Sequence, residues 1–169
     1  MKEHEFITTV TSFKDKLFRL AKRLLVSTEE AEDATQEVMF KLWKNKESIS
    51  SYKSVEAFAM TMTRNYCLDK LKAKSSNNLK IVHNNYKDET VSLQREVEAK
   101  DDMNSVELIM NTLPEQQRMI VQLRDIEQYE FAEISDIMEM SEAAIRVALS
   151  RARKVIRKEL IKKHSYGVS

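Results

Sequence analysis

Apolar residues recur three and four positions apart along most of this chain, and strict alternation is rare. Phe6, Val10, Phe13, Leu17, Leu20 and Leu24 make one stripe, with Lys14, Lys16, Arg19, Lys22 and Arg23 lying off it, which predicts a helix over 4–25. Ser27 opens a second helix. Ser27 and Glu30 have capping-box spacing, and Glu29, Glu30, Glu32 and Asp33 suit the positive end of a helix dipole. Ala31, Ala34, Val38 and Leu42 form its stripe, with Trp43 beside it. Residues 45–53 read as a Ser-rich loop. Ser54 caps a third helix, over roughly 55–74, with Val55, Phe58, Ala59, Met62 and Tyr66 on the buried side. Asn65 and Asp69 fall on that same side, where they need hydrogen-bond partners.

The periodicity fails over 75–102. This segment is Asn- and Ser-rich and slightly acidic, and it reads as a linker with room for a helical turn or two over 90–100. It returns with Val106, Ile109, Met110 and Leu113. Pro114 suits the start of a further helix carrying Met119, Ile120 and Leu123. A short helix over 131–138 then leads abruptly into a long one over 141–163. Ser141 caps the long helix, and Ile145, Leu149, Ala152, Ile156 and Leu160 share one face. The expected fold is all-α: two small helical domains, 1–74 and 103–169, joined by an irregular linker, 75–102.

Composition narrows this. One Gly (Gly167) and one Pro (Pro114) in 169 residues are too few to turn β-hairpins. Cys67 is the one cysteine, so there is no disulfide framework and no Cys-rich zinc site. His4, His83 and His164 lack metal-ligand spacing, and His83 reads as solvated. Without glycines no phosphate-cradling loop can form. No HExxH, nucleophile elbow or EF-hand loop occurs, so no catalytic residue, cofactor or metal is expected. No apolar run approaches membrane length and MKEHEF lacks a signal core, so a soluble, cytoplasmic protein that is not itself membrane-embedded is expected.

The net charge of +1 conceals a segregation. Residues 142–163 hold eight Lys or Arg against two Glu, whereas 113–141 hold seven Asp or Glu against two Arg. A cationic helix held by anionic ones after a short helix and a tight turn has the pattern of a helix-turn-helix DNA reader. A solvated face on an ordinary amphipathic helix produces the same charge run, and both readings stay open on pattern alone. Phe40 is similarly ambiguous. It lies nearly opposite its helix's apolar stripe among Asp33, Gln36, Glu37, Lys41 and Lys44, either as a partner surface or as a singly exposed aromatic. Arg64, Lys70, Lys72 and Lys74 form a second basic set.

Two stretches carry a family resemblance. EEAEDATQEVMFKLW (29–43), with AFAMTMTRNYCLDKLK (57–72), is similar to region two of bacterial sigma factors. LPEQQRMIVQLRDIEQYEFAEISDIMEMSEAAIRVALSRARKVIRKEL (113–160) is similar to region four. The chain resembles the compact extracytoplasmic-function (ECF) group in length, in domain order and in lacking a middle domain. The resemblance implies a non-catalytic factor that binds core RNA polymerase and directs initiation at promoters.

Laid on matching positions, it implies that Asp33, Gln36, Glu37, Phe40 and Lys41 dock on the clamp of the polymerase largest subunit. Ser50, Ser51 and Tyr52 would hold a flipped base of the minus-ten element, and Arg64, Lys70, Lys72 and Lys74 would hold phosphates. In the recognition helix, Arg146 and Ser150 would meet base edges of the minus-thirty-five element and Ala143 and Val147 thymine methyls, with Arg151, Lys154 and Arg157 facing phosphates. The second domain would touch the flap of the second-largest subunit, the linker would run through the polymerase interior, and an anti-sigma factor would restrain the whole. The chain departs from the family pattern at Glu139, where Gly is usual; at Ser135, where Ala is usual; and at Ala144, Val147 and Ala148, which stand where Thr, Ser and Arg are frequent. The rival readings are a stand-alone dimeric helix-turn-helix regulator and a protein-binding helical adaptor.

Overall fold

A computed structural model describes residues 2–81 and 105–167, and every element within them is helical. The expected turns over 90–100, His83 and most of the linker lie outside the described residues.

The first stripe folds as two helices: α1, Glu3–Thr11, and α2, Lys14–Leu25. The break falls where hydroxyl side chains compete for the backbone. Thr8, Thr11 and Ser12 donate to the carbonyls of His4, Ile7 and Thr9 at 2.9, 2.6 and 2.6 Å, an alternative to the helical ladder. Phe13 then leaves the helical region at φ −127°, ψ 4°. Phe6, Val10, Phe13, Leu17, Leu20 and Leu24 stay buried on both sides of the break, so the stripe is preserved while the helix is not.

Helix α3, Thr28–Lys44, starts at Ser27, whose hydroxyl accepts the Glu30 N–H at 3.3 Å. The capping box closes on that side alone. The Glu30 carboxylate pairs with Lys74 at 2.6 Å and does not turn back. Ala31 and Ala34 are buried where α3 lies against α2, and their small side chains let the two backbones approach. The expected loop contains one helical turn, α4, Lys46–Ile49, anchored by buried Ile49.

Helix α5, Val55–Ile81, is capped by Ser54, which accepts the Ala57 N–H at 3.1 Å. It continues past residue 74, because a helix already nucleated propagates through Ser and Asn when neither Pro nor Gly interrupts it. Its buried line is Ala59, Met60, Thr63 and Cys67, rotated from the expected one. Asn65 and Asp69 consequently face outward, and the expectation that they need interior partners is corrected.

After the linker come α6, Ser105–Thr112, and α7, Glu115–Val121, whose C-terminal end widens into a π turn over Gln122–Ile126. The supporting helix α8, Phe131–Met138, ends on Glu139 in the left-handed region at φ 55°, ψ 44°. The Ser135 hydroxyl donates to the Met140 carbonyl across this turn at 2.5 Å. The final helix, α9, Glu142–Gly167, is capped by Ser141, which accepts the Ala144 N–H at 3.2 Å.

Both halves share one hydrophobic cluster. Helix α2 packs on α7, and α5 packs on α8. The seam between them is polar: Arg19 pairs with Glu127, Arg23 donates to Gln122 at 2.9 Å, and Gln122 donates to Glu127 at 3.3 Å. Arg118 donates to the Arg23 carbonyl at 3.3 Å. Burial pulls both Arg23 and Arg118 below the ordinary guanidinium pKa, and for Arg23 the Glu107 carboxylate opposes this.

Candidate nucleic-acid interface

Helix α9 divides cleanly. Ile145, Ala148, Leu149 and Ala152 are buried against the rest of the C-terminal half. Ala143, Arg146, Val147, Ser150, Arg151, Lys154 and Arg157 are all exposed. Val147, at 49%, is an apolar residue presented to solvent among cations. Leu160, expected on the buried face, is exposed, since the helix runs on beyond the elements that cover its earlier turns.

An open concavity of about 490 Å³ lies along this helix, walled by Phe131, Arg146, Ser150, Arg153, Lys154 and Arg157. The cations around it are held in different ways. Arg153 grips Asp125 along one edge, through Nε and Nη2, with Nε to Oδ2 at 3.1 Å, and this bonding raises its pKa. Arg146 instead lies over the Phe131 ring, 4.6 Å from the centroid, and Arg124 lies 4.3 Å from the same centroid. Neither Arg153 nor Phe131 was singled out by sequence reasoning. A pair separated by 28 residues leaves no local signature, and Phe131 shows in the sequence only as an apolar residue opening a short helix.

The first-half candidates are more dispersed. Tyr52 is 42% exposed, and its ring meets Phe58 edge to face at 4.8 Å. The Ser50 and Ser51 hydroxyls donate to the Glu47 and Ser48 carbonyls at 2.8 and 2.7 Å, so their protons are engaged while their lone pairs face outward.

The four cations of α5 divide in two. Lys70 leans on the Tyr66 ring at 5.5 Å beside a concavity it lines with Glu30 and Asp33 of α3, and Lys74 pairs with Glu30. Arg64 donates to the Asn65 side chain at 3.3 Å, and Lys72 is exposed. At 100° per residue, Asn65, Asp69 and Lys72 share one outer face. Asn65 is exposed there, with its amide oxygen accepting from Arg64 and its amide donors open to solvent.

On α3, Asp33, Gln36 and Lys41 are exposed and Glu37 is half-buried. Phe40 is 52% exposed, with the Lys44 ammonium 4.9 Å from its ring centroid, and Lys41 pairs loosely with Glu37 at 4.0 Å. Among the described residues, no cluster of His, Cys, Asp or Glu could hold a metal ion, and no helix is long and apolar enough to cross a membrane.

Two family profiles match the chain. The sigma-70 region 2 profile covers residues 9–77, and the sigma-70 region 4 profile covers residues 103–156. Together they account for well over half of the chain. Among characterised proteins, the ECF RNA polymerase sigma factor SigW of Bacillus subtilis (strain 168) is 21% identical over 165 residues, which span 92% of this chain and 88% of the relative. Among solved structures, the chain is similar to the sigma factor RpoE from Bartonella quintana, solved in complex with the anti-sigma factor NepR. The TM-score is 0.72 at 18% identity, over 92% of this chain and 96% of that one. It is also similar to CnrH, solved with the cytosolic domain of CnrY, with a TM-score of 0.70 at 14% identity over 95% and 90% of the two chains.

Proposed function

This chain belongs to the ECF group of the sigma-70 family, and on that premise we propose which of its surfaces hold polymerase and which read the promoter. The protein is a sigma factor: it binds core RNA polymerase and directs promoter-specific transcription initiation. The observation that carries this is the presence of region 2 and region 4 in one chain, in that order. A stand-alone dimeric regulator has no use for the first of them. Sigma factors regulate transcription without catalysing a reaction, and we read this chain, acting on cytoplasmic polymerase and DNA, in the same way.

In our reading, residues 1–74 bind polymerase and the minus-ten element, 75–102 form the tether, and 103–169 bind the minus-thirty-five element. The exposed face of α3 around Phe40, with Asp33, Gln36, Glu37 and Lys41, docks on the polymerase clamp. A large aromatic exposed within a charged rim has the anatomy of an interface anchor. Ser50, Ser51 and Tyr52 receive an unstacked base, and Arg64, Lys70, Lys72 and Lys74 supply phosphate contacts. Lys74 must first release Glu30 to do so.

The outer face of α9 enters the major groove. There Arg146 and Ser150 meet base edges, Ala143 and Val147 meet methyl groups, and Arg151, Lys154 and Arg157 meet phosphates. The two proteins similar in fold, the sigma factor RpoE and CnrH, were each solved with a protein partner, named an anti-sigma factor in the case of NepR. We read an anti-sigma factor that covers the polymerase-binding faces as this chain's restraint too.

In vitro transcription with purified core polymerase and start-site mapping tests the assignment. The expected result is initiation that depends on both promoter elements. The triple variant Arg151→Ala, Lys154→Ala, Arg157→Ala should weaken upstream-element binding on all sequences alike and lower the salt slope by about 3. Unchanged salt dependence would remove these residues from the DNA face.

A further inference from the structure

Most cations near a DNA-reading surface must satisfy two opposed demands. A long side chain has to be held still, because its freedom is lost on binding, yet its hydrogen-bonding edge has to remain open for the ligand. A carboxylate partner meets the first demand by taking up part of the second. Arg153 shows this: its Nε and Nη2 both bond Asp125, so it ties α9 to the π turn and that edge is no longer open to a ligand, which leaves the Nη1 end.

Arg146 is held differently. Its guanidinium carbon lies 4.6 Å from the centroid of Phe131, the first residue of the supporting helix. A ring binds a guanidinium through its face and accepts no conventional hydrogen bond, so the planar fork of N–H donors stays free. Phe131 is itself fixed, being half-buried and packed against the hydrophobic cluster. The neighbouring Arg124, 4.3 Å from the same centroid, is anchored by donating to the Tyr129 carbonyl at 2.8 Å. Two guanidiniums share one ring at the edge of the concavity, and their mutual repulsion favours an electron-rich occupant there.

We propose that Phe131 is the positioning residue for Arg146: it holds the guanidinium face so that its edge makes the bidentate contact to the O6 and N7 of a guanine in the upstream promoter element. That contact requires a planar donor pair presented edge-on, and a guanidinium held over a ring, with no carboxylate on its N–H groups, has such a pair to present. Base specificity at this position thus depends on a residue outside the recognition helix that need touch no DNA. The inference rests on α9 being the recognition helix.

The test uses holoenzyme assembled from core polymerase and the full chain, transcribing a promoter library randomised through the upstream element, with transcripts counted by sequencing. Wild type should favour guanine at one position, and Arg146→Ala should abolish that preference. Phe131→Leu and Phe131→Met keep apolar bulk and remove the aromatic face. Each should reduce the guanine preference by about threefold to fivefold, the worth of one exposed cation–π contact, at that position alone and with the salt slope unchanged. Phe131→Tyr keeps the ring and should restore the preference. Adding Phe131→Leu to Arg146→Ala should cost no further discrimination.

The proposal is overturned if Arg146→Ala removes the preference while both Phe131 variants keep it, or if Phe131→Tyr is as poor as Phe131→Leu. If Arg146→Ala leaves every base preference intact, the assignment of α9 as the reader has failed, and the inference falls with it.

Discussion

The guanidinium of Arg19 and the carboxylate of Glu127, 108 residues apart in the chain, form two parallel bonds across the seam between the halves. Nε lies 2.5 Å from Oε1 and Nη2 lies 2.9 Å from Oε2. Glu127 is 9% exposed, and Gln122 donates a further bond to it. This bonding raises the Arg19 pKa. Glu127 would be a buried, uncompensated charge without its partner.

Arg19→Ala should therefore loosen the seam by roughly 2 kcal/mol, the scale of a hydrogen bond to a charged group. Small-angle scattering should show a larger radius of gyration for Arg19→Ala and for Glu127→Arg, and a return toward wild type in the doubly reversed Arg19→Glu, Glu127→Arg chain. Promoter elements named for positions ten and thirty-five lie roughly 25 base pairs apart, about 85 Å along B-DNA, while a compact chain of this length has a radius of gyration of about 15 Å. With the two halves assigned to the two elements as proposed above, the seam has to part before both are held, so Arg19→Ala should transcribe no worse than wild type. A loss of transcription in that variant would show the seam to be needed in the working state.

Phe40 can be changed without disturbing the interior, because over half of it is already in water. Phe40→Asp should leave the circular dichroism spectrum and melting temperature close to wild type. It should weaken core polymerase binding by roughly 2 kcal/mol, about thirtyfold, as for an aromatic anchor at an interface. Unaltered affinity in a titration with labelled polymerase would dismiss α3 as the docking face.

Glu139 holds a left-handed conformation at φ 55° with a full side chain. A Cβ in that region costs about 1–2 kcal/mol. Part of this is offset locally, since the Ser135 hydroxyl and the Met140 N–H both bond across the turn. Glu139→Gly should stabilise the protein by roughly 0.5–1 kcal/mol, which raises the melting temperature by about 1–4 °C. Ser135→Ala should act in the opposite direction. Thermal denaturation of the two variants measures both.

Cys67 is buried, and desolvation pushes its thiol from 9.0 up to about 12. Between those values the unfolded chain gives up a proton that the folded chain retains. Stability from this group is full below pH 9 and drains away as the pH rises toward 12, by roughly 1.4 kcal/mol per unit. Tyr129, whose pKa is also raised, chiefly by burial, acts in the same sense at higher pH. Cys67→Ala should lose less stability than wild type between pH 8 and 10.5, by about 2 kcal/mol, in paired urea titrations. The native thiol should also resist alkylation until the chain unfolds.

Local chemistry made much of this molecule legible. Ser27, Ser54 and Ser141 each accept an N–H from the first turn they precede, as their residue type and position require. The long stripe from Phe6 to Leu24 is buried and the cationic face of α9 is exposed, because both follow from a spacing that holds wherever a helix forms. Two errors arose from causes that periodicity does not register, one local and one tertiary. The hydroxyl run at Thr8–Ser12 breaks a helix that its apolar pattern would continue. The helices packed on α5 select Met60, Thr63 and Cys67 for the interior, which leaves Asn65 and Asp69 outside.

The sequence by itself determined the helices, their caps, the separation of a cationic reader from its anionic supports, and the kinship with sigma factors. Those properties reside in residues a few positions apart, where bonding geometry is the same in any fold. Only the tertiary structure decided that Arg19 meets Glu127, that Asp125 takes one edge of Arg153, and that Arg146 rests on a ring instead of a carboxylate. Each depends on which distant helix a flexible side chain finds beside it, and that choice is made when the common core closes and sets the distances between charges that the chain itself leaves open.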